Sequence, residues 1–195
     1  MDTTRERVRK VTHGHEVCPV ERAGKLESWW RKILQNPEKI LGKHVKKGMR
    51  CLDFGCGPGY FTITMARLAG PSGKVFAVDL QGEMLGILKR KMAGTPEEKN
   101  IELHKSEKGS LSIGEKIDFA LAFYVVHEVP DTKNFFSEIR GMLKQGGCLL
   151  ISEPMFRVSK EEFEEEIRVA ESLGFKVTER PKIFMGRSAL FCKPF

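Results

Sequence analysis

Residues 49–61 of this chain read MRCLDFGCGPGYF, a short apolar run that leads into a glycine-rich turn. The apolar residues of 49–54 predict a buried strand, and the amphipathic pattern that begins at Phe61 predicts a helix. Three glycines lie between them at alternate positions, Gly55, Gly57 and Gly59. Because glycine lacks a Cβ and tolerates positive φ, such a turn can bring backbone N–H groups against a ligand at a helix N-terminus.

The glycine spacing separates two kinds of nucleotide site. A dinucleotide fingerprint needs a further glycine at position 60, where this chain has Tyr60. The stretch instead resembles motif I of the class I S-adenosylmethionine-dependent methyltransferases, D-x-G-x-G-x-G, which begins here at Asp53. Asp79 ends the strand-like run KVFAVD twenty residues after Gly59, where an acidic side chain can accept both ribose hydroxyls. The alternative is a purely structural turn, with Asp79 capping the helix before Gln81.

The remainder of the chain alternates between strand-like and helical patterns. Alternation predicts a parallel, doubly wound α/β sheet. Two further β-like runs, 175–180 and 188–193, have no helix between them, so they are predicted to pair as a hairpin. The resemblance implies a mostly parallel seven-stranded sheet in the order 3-2-1-4-5-7-6, with an antiparallel last strand and helices on both faces. The other predicted strands lie near residues 74–79, 101–105, 117–123 and 147–153.

The N-terminal part of the chain is predicted to form an extension of two helices. One helical face is built from Leu26, Trp29, Trp30, Ile33 and Leu34, and Asn36 followed by Pro37 predicts the start of the second helix. We divide the chain into residues 1–45, the extension, and 46–195, the methyltransferase domain. Extensions of this kind in the resembled family close over the cofactor, whereas the plain interpretation is that the two tryptophans pack on the sheet.

Two later helices have recognisable end signals. One helix is predicted to start near Asp131 and to stop at Gly146 and Gly147. Ser159 with Glu162 predicts a capping box for the next helix.

Composition favours one domain with a substantial core, since the chain has 195 residues of which 41% are hydrophobic. The formal charge of +7 suits an anionic partner, but 26 acidic residues are interleaved with the basic ones. The five cysteines form no CxxC pair, and three lie in predicted core strands as small hydrophobic residues do. The cysteine pattern therefore predicts a reducing, cytoplasmic setting. We also expect no membrane segment, and a monomer or homodimer.

The resemblance assigns one wall of the sheet to S-adenosylmethionine and its product S-adenosylhomocysteine. Ligands of open α/β sheets bind beyond the carboxyl ends of the strands. The family has an acidic residue after strand three that meets the adenine amino group, and Ser106 followed by Glu107 stands there. The predicted cofactor-binding residues are Asp53, Gly55, Cys56, Gly57, Gly59, Asp79, Leu80, Met84, Ser106, Glu107 and Phe123.

His127 and Glu128 follow the fourth strand in the segment AFYVVHEVPD and are the predicted catalytic residues. A histidine can take a proton from an attacking hydroxyl or thiol, and a neighbouring carboxylate can orient it. The alternative is that His127 packs or caps the next helix and Glu128 is solvated.

The sequence gives only coarse information about the methyl acceptor. The chain lacks the N-P-P-Y or D-P-P-Y run typical of methylation of amino groups on bases, so a small molecule is the default acceptor. A nucleic-acid acceptor, resting on the net charge, and a non-catalytic cofactor-binding subunit are the alternatives.

No metal site is predicted. Glu128 with Glu153 is only loosely arranged for Mg²⁺, and we expect Glu153 to shape the pocket rim. An N-terminal cluster that matches no standard zinc spacing offers metal ligands or substrate contacts: His13, His15, Glu16 and Cys18.

Overall fold

The computed structural model describes residues 34–106, 111 and 113–195. The predicted helix that includes Trp29 and Trp30, and the cluster around His13, lie outside the described residues. Helix α1, Pro37–Leu41, follows Asn36, whose side chain accepts from the N–H groups of Glu38 and Lys39. The predicted helix start at Asn36 and Pro37 is thus confirmed. Leu41 and Val45 are buried in the same apolar cluster as Cys51, so α1 packs on the core of the sheet.

The strands and helices alternate as the sequence predicts. The elements in chain order are β1 Arg50–Phe54, α2 Thr62–Ala69, β2 Lys74–Asp79, α3 Gly82–Met92, β3 Ile101–Lys105, β4 Ile117–Phe123, α4 Thr132–Met142, β5 Leu143–Pro154, α5 Lys160–Ser172, β6 Lys176–Glu179 and β7 Gly186–Cys192. Short 3₁₀ turns at Pro96–Asn100 and Val126–Glu128 precede β3 and α4.

The seven strands form one sheet in the order β3-β2-β1-β4-β5-β7-β6. Strands β1 to β5 pair in parallel, and β7 runs antiparallel to both β5 and β6. The predicted strand order and the antiparallel last strand are confirmed.

Apolar side chains cover both faces of the sheet, because parallel strands with helices on each side have no solvated face. Phe136 and Phe191 are central to one cluster, which α4 and α5 cover. Met65 and Leu88, from α2 and α3, belong to the cluster on the opposite face. The capping box of Ser159 and Glu162 is present at the start of α5, as predicted.

The end of α4 differs from the prediction. The helix stops at Met142, and β5 already begins at Leu143 and runs through Gly146 and Gly147, so these glycines do not terminate the helix. Leu143 pairs with Ile117 whereas Cys148 pairs with Phe119, which leaves extra residues in β5. Gly146, with φ of 74°, lies in this irregularity, where an L-residue is strained.

The prediction for the cysteines is wrong for one pair. Cys148 and Cys192 lie directly opposite each other in β5 and β7 and are joined by a disulfide. Cys51 and Cys56 are free and buried, as small hydrophobic residues are. Periodicity places Cys148 and Cys192 on strands, but only the β5–β7 register shows that they lie opposite each other.

Within the described residues, none of the helices has both the length and the apolar character needed to cross a bilayer.

Candidate functional site

The carboxyl ends of β1, β2, β4 and β5 meet at one edge of the sheet, and most of the predicted site residues lie there. Parallel pairing places Phe54 beside Val78 and Ala122, so the segments that follow these strands are neighbours. Because β7 is antiparallel to β5, Pro154 pairs with Gly186 at the same edge. The loop before β7 therefore joins the site.

The glycine turn needs its glycines for two different reasons. All three have positive φ, 68° at Gly55, 52° at Gly57 and 90° at Gly59. A Cβ on Gly55 would lie 2.5 Å from Val125 Cγ2, and one on Gly59 would lie 2.3 Å from Leu88 Cδ1. A Cβ on Gly57 would meet nothing within 4 Å. Gly55 and Gly59 are thus packed against neighbours, while open space lies beside Gly57.

Asp79 ties this turn to the end of β2. Its Oδ2 accepts from the Gly57 N–H at 2.8 Å, and its Oδ1 accepts from the Gln81 N–H at 2.8 Å. Burial raises the pKa of Asp79, and the backbone N–H groups of Gln81 and Gly57 act in the opposite sense. Asp79 is therefore both next to the turn and held in a fixed orientation.

Asp53 is buried beneath the turn. It is 2% exposed, and its Oδ2 accepts from Thr62 Oγ1 at 2.6 Å. Burial raises the pKa of Asp53 to about 7, while the Thr62 hydroxyl lowers it and the charge of Asp79 adds to the rise. The carboxyl thus joins β1 to the first turn of α2. Cys56 is also buried, and burial raises the pKa of its thiol.

The other predicted wall residues lie along the same edge. Met84 is buried on α3, Leu80 is partly exposed after β2, and Phe123 is buried at the end of β4, where its ring lies 4.4 Å from that of Phe61. The Ser106 N–H donates to the Asp79 carbonyl at 3.0 Å, which places Ser106 beside the end of β2. Glu107 lies outside the described residues.

His127 faces a carboxylate that the sequence did not assign to it. The ring Nδ1 of His127 is in hydrogen-bond contact with Glu153 Oε2. Glu153 is fully buried at the end of β5, so the expectation that it shapes the pocket rim is wrong. The available signal was a charged residue that ends the apolar run of β5, since a buried carboxylate needs a partner.

Glu128 is near the other nitrogen of the same ring. Its Oε1 lies 3.9 Å from His127 Nε2, and the two side chains are 18% and 16% exposed respectively. Burial is the main cause of a raised pKa at Glu128, which the charges of His127 and Arg157 oppose. Nε2 of His127, with Glu128 beside it, is therefore the side of the ring away from Glu153.

A polar cluster that the sequence did not predict is centred on Gln35. Gln35 Nε2 donates to Tyr124 Oη at 2.7 Å and to the Phe184 carbonyl at 2.9 Å. Tyr60 Oη in turn donates to the Gln35 carbonyl at 3.2 Å. Tyr124 has a φ of 62°, a rare conformation for an aromatic residue and typical of functional loops. These contacts join the segment before α1 to the glycine turn and the β6–β7 loop.

In the part of the chain that the structure describes, no three histidine, cysteine or acidic side chains come together as a metal ion would require.

Comparison with known proteins agrees with this arrangement. A family model described as a methyltransferase domain matches residues 45–180. The chain belongs to the class I S-adenosylmethionine-dependent methyltransferases. The S-adenosylmethionine-dependent methyltransferase of Aquifex aeolicus is 26% identical, with a TM-score of 0.79 over 90% of this chain and 98% of that one.

Two more relatives show how far the similarity extends. Demethylmenaquinone methyltransferase of Staphylococcus aureus is 32% identical over 68% of this methyltransferase and 53% of the relative, so the chain spans about half the length of that enzyme. Fibrillarin of Aeropyrum pernix, solved with S-adenosyl-L-methionine, is 18% identical with a TM-score of 0.62, over 76% of this chain and 68% of that one. The fibrillarin match shows the shared fold alone. The family match and the Aquifex aeolicus neighbour make S-adenosylmethionine the cofactor of this methyltransferase.

Proposed function

We propose that this methyltransferase transfers a methyl group to a small, largely apolar acceptor that carries an ionisable hydroxyl. The observation that carries this proposal is the position of His127, with Nε2 turned away from Glu153 at the same sheet edge as Asp79 and the glycine turn. A cofactor site and a candidate base thus lie on one edge.

The residues at the turn fit the cofactor. Gly57 leaves open space where a side chain would otherwise stand, and Asp79 is a carboxylate at the sheet edge that is 8% exposed. We assign the ribose hydroxyls to Asp79 and the methionine end to the glycine turn, with Met84, Leu80 and Phe123 as apolar neighbours of the adenosine. Ser106, and Glu107 after it, stand where the adenine edge would be recognised. Asp53 and Cys56 support the turn from within.

The bound cofactor supplies an electrophilic methyl group on a positively charged sulfur. Against it, the chain must hold an acceptor atom in line and remove its proton. We assign proton removal to His127 Nε2. Glu128, whose carboxylate lies beside Nε2, stabilises the protonated ring electrostatically. The proton that leaves the acceptor hydroxyl thus resides on His127 until solvent takes it.

The acceptor chemistry is inferred from an apolar rim that we define as Leu34, Met155, Phe156, Phe184 and Met185. Each of these side chains is at least 43% exposed, and Phe156 reaches 70%. Met155 and Phe156 follow β5, and the Met155 N–H donates to the Met185 carbonyl at 3.0 Å. Gln35, next to Leu34, donates to the Phe184 carbonyl at 2.9 Å, which brings the Leu34 segment to the same loop.

Among the described residues, the exposed large apolar side chains outside the rim are only Leu80 and Phe195. Such concentration at one place marks a binding surface. The Staphylococcus aureus relatives, named for demethylmenaquinone, provide a precedent for an apolar acceptor.

The test is a screen of hydroxylated ring compounds with S-adenosylmethionine, read by mass spectrometry as the gain of one methyl in place of a hydrogen. Paired compounds that differ only in an apolar substituent test the rim, and we expect the apolar member of each pair to have the higher kcat/KM. With the best acceptor, His127→Ala should lower kcat about a hundredfold or more, remove the acid limb of the pH profile and leave cofactor affinity nearly unchanged. A normal rate for His127→Ala would remove the base from the proposal.

A further inference from the structure

We propose that Glu153 is the positioning residue of the site, fixing His127 so that Nδ1 carries the hydrogen and Nε2 is the basic atom. This inference rests on the proposed role of His127, and it adds a residue whose function the sequence did not suggest. Glu153 does not reach the acceptor, because it is fully buried at the end of β5.

The carboxylate of Glu153 collects donors from one short segment. Oε1 accepts from the N–H of Val126 at 2.9 Å and from that of Val125 at 3.3 Å. Oε2 accepts from the N–H of His127 at 3.4 Å and is in contact with the ring Nδ1 of the same residue. One side chain therefore fixes both the backbone of the 3₁₀ turn and the imidazole that the turn carries.

These donors determine which chemical forms are present. Backbone N–H groups can only donate, so the three that face Glu153 need acceptor oxygens, and the carboxylate form presents acceptors alone. An ionised carboxylate in turn needs a hydrogen on Nδ1. Neutral imidazole has one N–H, so Nε2 is left with a lone pair, as in other carboxylate–imidazole pairs.

Two other acidic side chains lie near this pair, one on each side. Glu166, on α5, has a pKa raised to about 9 by burial first and then by the charges of Glu153 and Glu162. Glu166 is therefore neutral near pH 7 and adds no second negative charge near Glu153. On the open side, Glu128 lies beside Nε2 and Arg157 acts on Glu128.

The informative variant is Glu153→Gln, which keeps the shape and removes the charge. Its amide oxygen can accept from the Val125 and Val126 N–H groups, which turns the NH₂ toward His127 Nδ1. The NH₂ can only donate, so Nδ1 becomes the acceptor and the hydrogen moves to Nε2. The base is then lost although the side chains stay in place. Glu166→Gln is the matched control, because it makes the same substitution at a partly buried glutamic acid whose raised pKa leaves it uncharged near pH 7.

Two measurements test the inference. In ¹⁵N spectra of the intact protein, with His127 assigned by comparison with His127→Ala, we expect hydrogen on Nδ1 in the natural protein and on Nε2 in Glu153→Gln. With an acceptor in hand, Glu153→Gln should lower kcat about a hundredfold, with KM and cofactor affinity nearly unchanged, and Glu166→Gln should match the natural protein.

The outcomes separate the two proposals. Hydrogen on Nε2 in the natural protein, or an unchanged tautomer in Glu153→Gln, overturns the role of Glu153 without any acceptor being known. A slow His127→Ala with a normal rate and pH profile for Glu153→Gln also overturns it, while leaving His127 as the base. A normal rate for His127→Ala together with the expected tautomers would overturn the base and keep the positioning contact.

Discussion

The Gly57 N–H donates to the Asp79 carboxylate at 2.8 Å, so the middle of the glycine turn is bonded directly to the end of the neighbouring strand. The two motifs that the sequence presents separately are thus one structural unit. The N–H groups of Gly55 and Cys56 add to it by donating to the Val78 carbonyl at 2.8 and 3.0 Å. Any ligand over the turn therefore meets a surface whose shape depends on Asp79.

Asp79→Ala should weaken binding of S-adenosylmethionine about tenfold to hundredfold, because it removes a charged acceptor worth roughly 1.5–3 kcal/mol. Asp79→Asn retains one acceptor oxygen and should lose less. Calorimetric titration of both variants, with circular dichroism to verify the fold, measures the effect. Equal affinity in the natural protein and in Asp79→Ala would mean that Asp79 only orders the turn and the start of α3.

Gly57→Ala and Gly59→Ala should separate binding from stability. The first adds a methyl in open space at a φ of 52°, so it should cost about 1 kcal/mol in stability and weaken cofactor binding at least about tenfold. The second places a methyl 2.3 Å from Leu88 Cδ1 at a φ of 90°, so it should destabilise the fold by about 2–4 kcal/mol. Thermal unfolding and cofactor titration of both variants measure the two effects. Similar melting temperatures for Gly57→Ala and Gly59→Ala would contradict the packing argument.

Asp53 should make the protein less stable as pH rises. Its pKa is about 7 in the folded chain, against roughly 4 for an unfolded aspartate. Between these values the folded state holds the extra proton, so the free energy of unfolding falls as pH increases, by up to about 4 kcal/mol above the folded pKa.

Asp53→Asn lacks this titration and can still accept from Thr62 Oγ1. Urea unfolding at several pH values should therefore show the variant gaining stability relative to the natural protein from about pH 4 to 7. A constant difference between the two proteins across this range would contradict the buried titration.

Reduction of the Cys148–Cys192 disulfide should destabilise the protein without changing its cofactor affinity. The bridge closes a loop with a sequence separation of 44 residues and lies away from the sheet edge that carries the site. Restriction of the unfolded chain by a loop of this size is worth about 2–4 kcal/mol. The melting temperature with and without dithiothreitol measures this loss of stability. The double variant Cys148→Ser with Cys192→Ser is the control, since its melting temperature should not respond to the reductant.

The local architecture follows from residues that are close together in the sequence. Apolar runs and helical periodicity located the elements, because burial of one face is encoded over a few neighbouring residues. The motif at Asp53 to Gly59, with Asp79, identified the family and with it the strand order. The helix start at Asn36 and the capping box of Ser159 and Glu162 were also predictable, since a cap is a contact within one turn.

Contacts between residues distant in sequence depend on how the strands pair in the folded chain. His127 lies in the 3₁₀ turn that follows β4, whereas Glu153 lies at the end of β5. A one-residue change of the β5 register would move Glu153 to the opposite face of the sheet. The pairing of β5 with β7 places Cys148 opposite Cys192. The pairing of β4 with β5 begins at Leu143, so Gly146 lies within β5 rather than at the end of a helix. Periodicity shows which face of the sheet a residue occupies, but it does not show which residue of the next strand lies beside it. The pairing of β4 with β5 brings the end of β5 next to the turn after β4, and Glu153 thereby contacts His127.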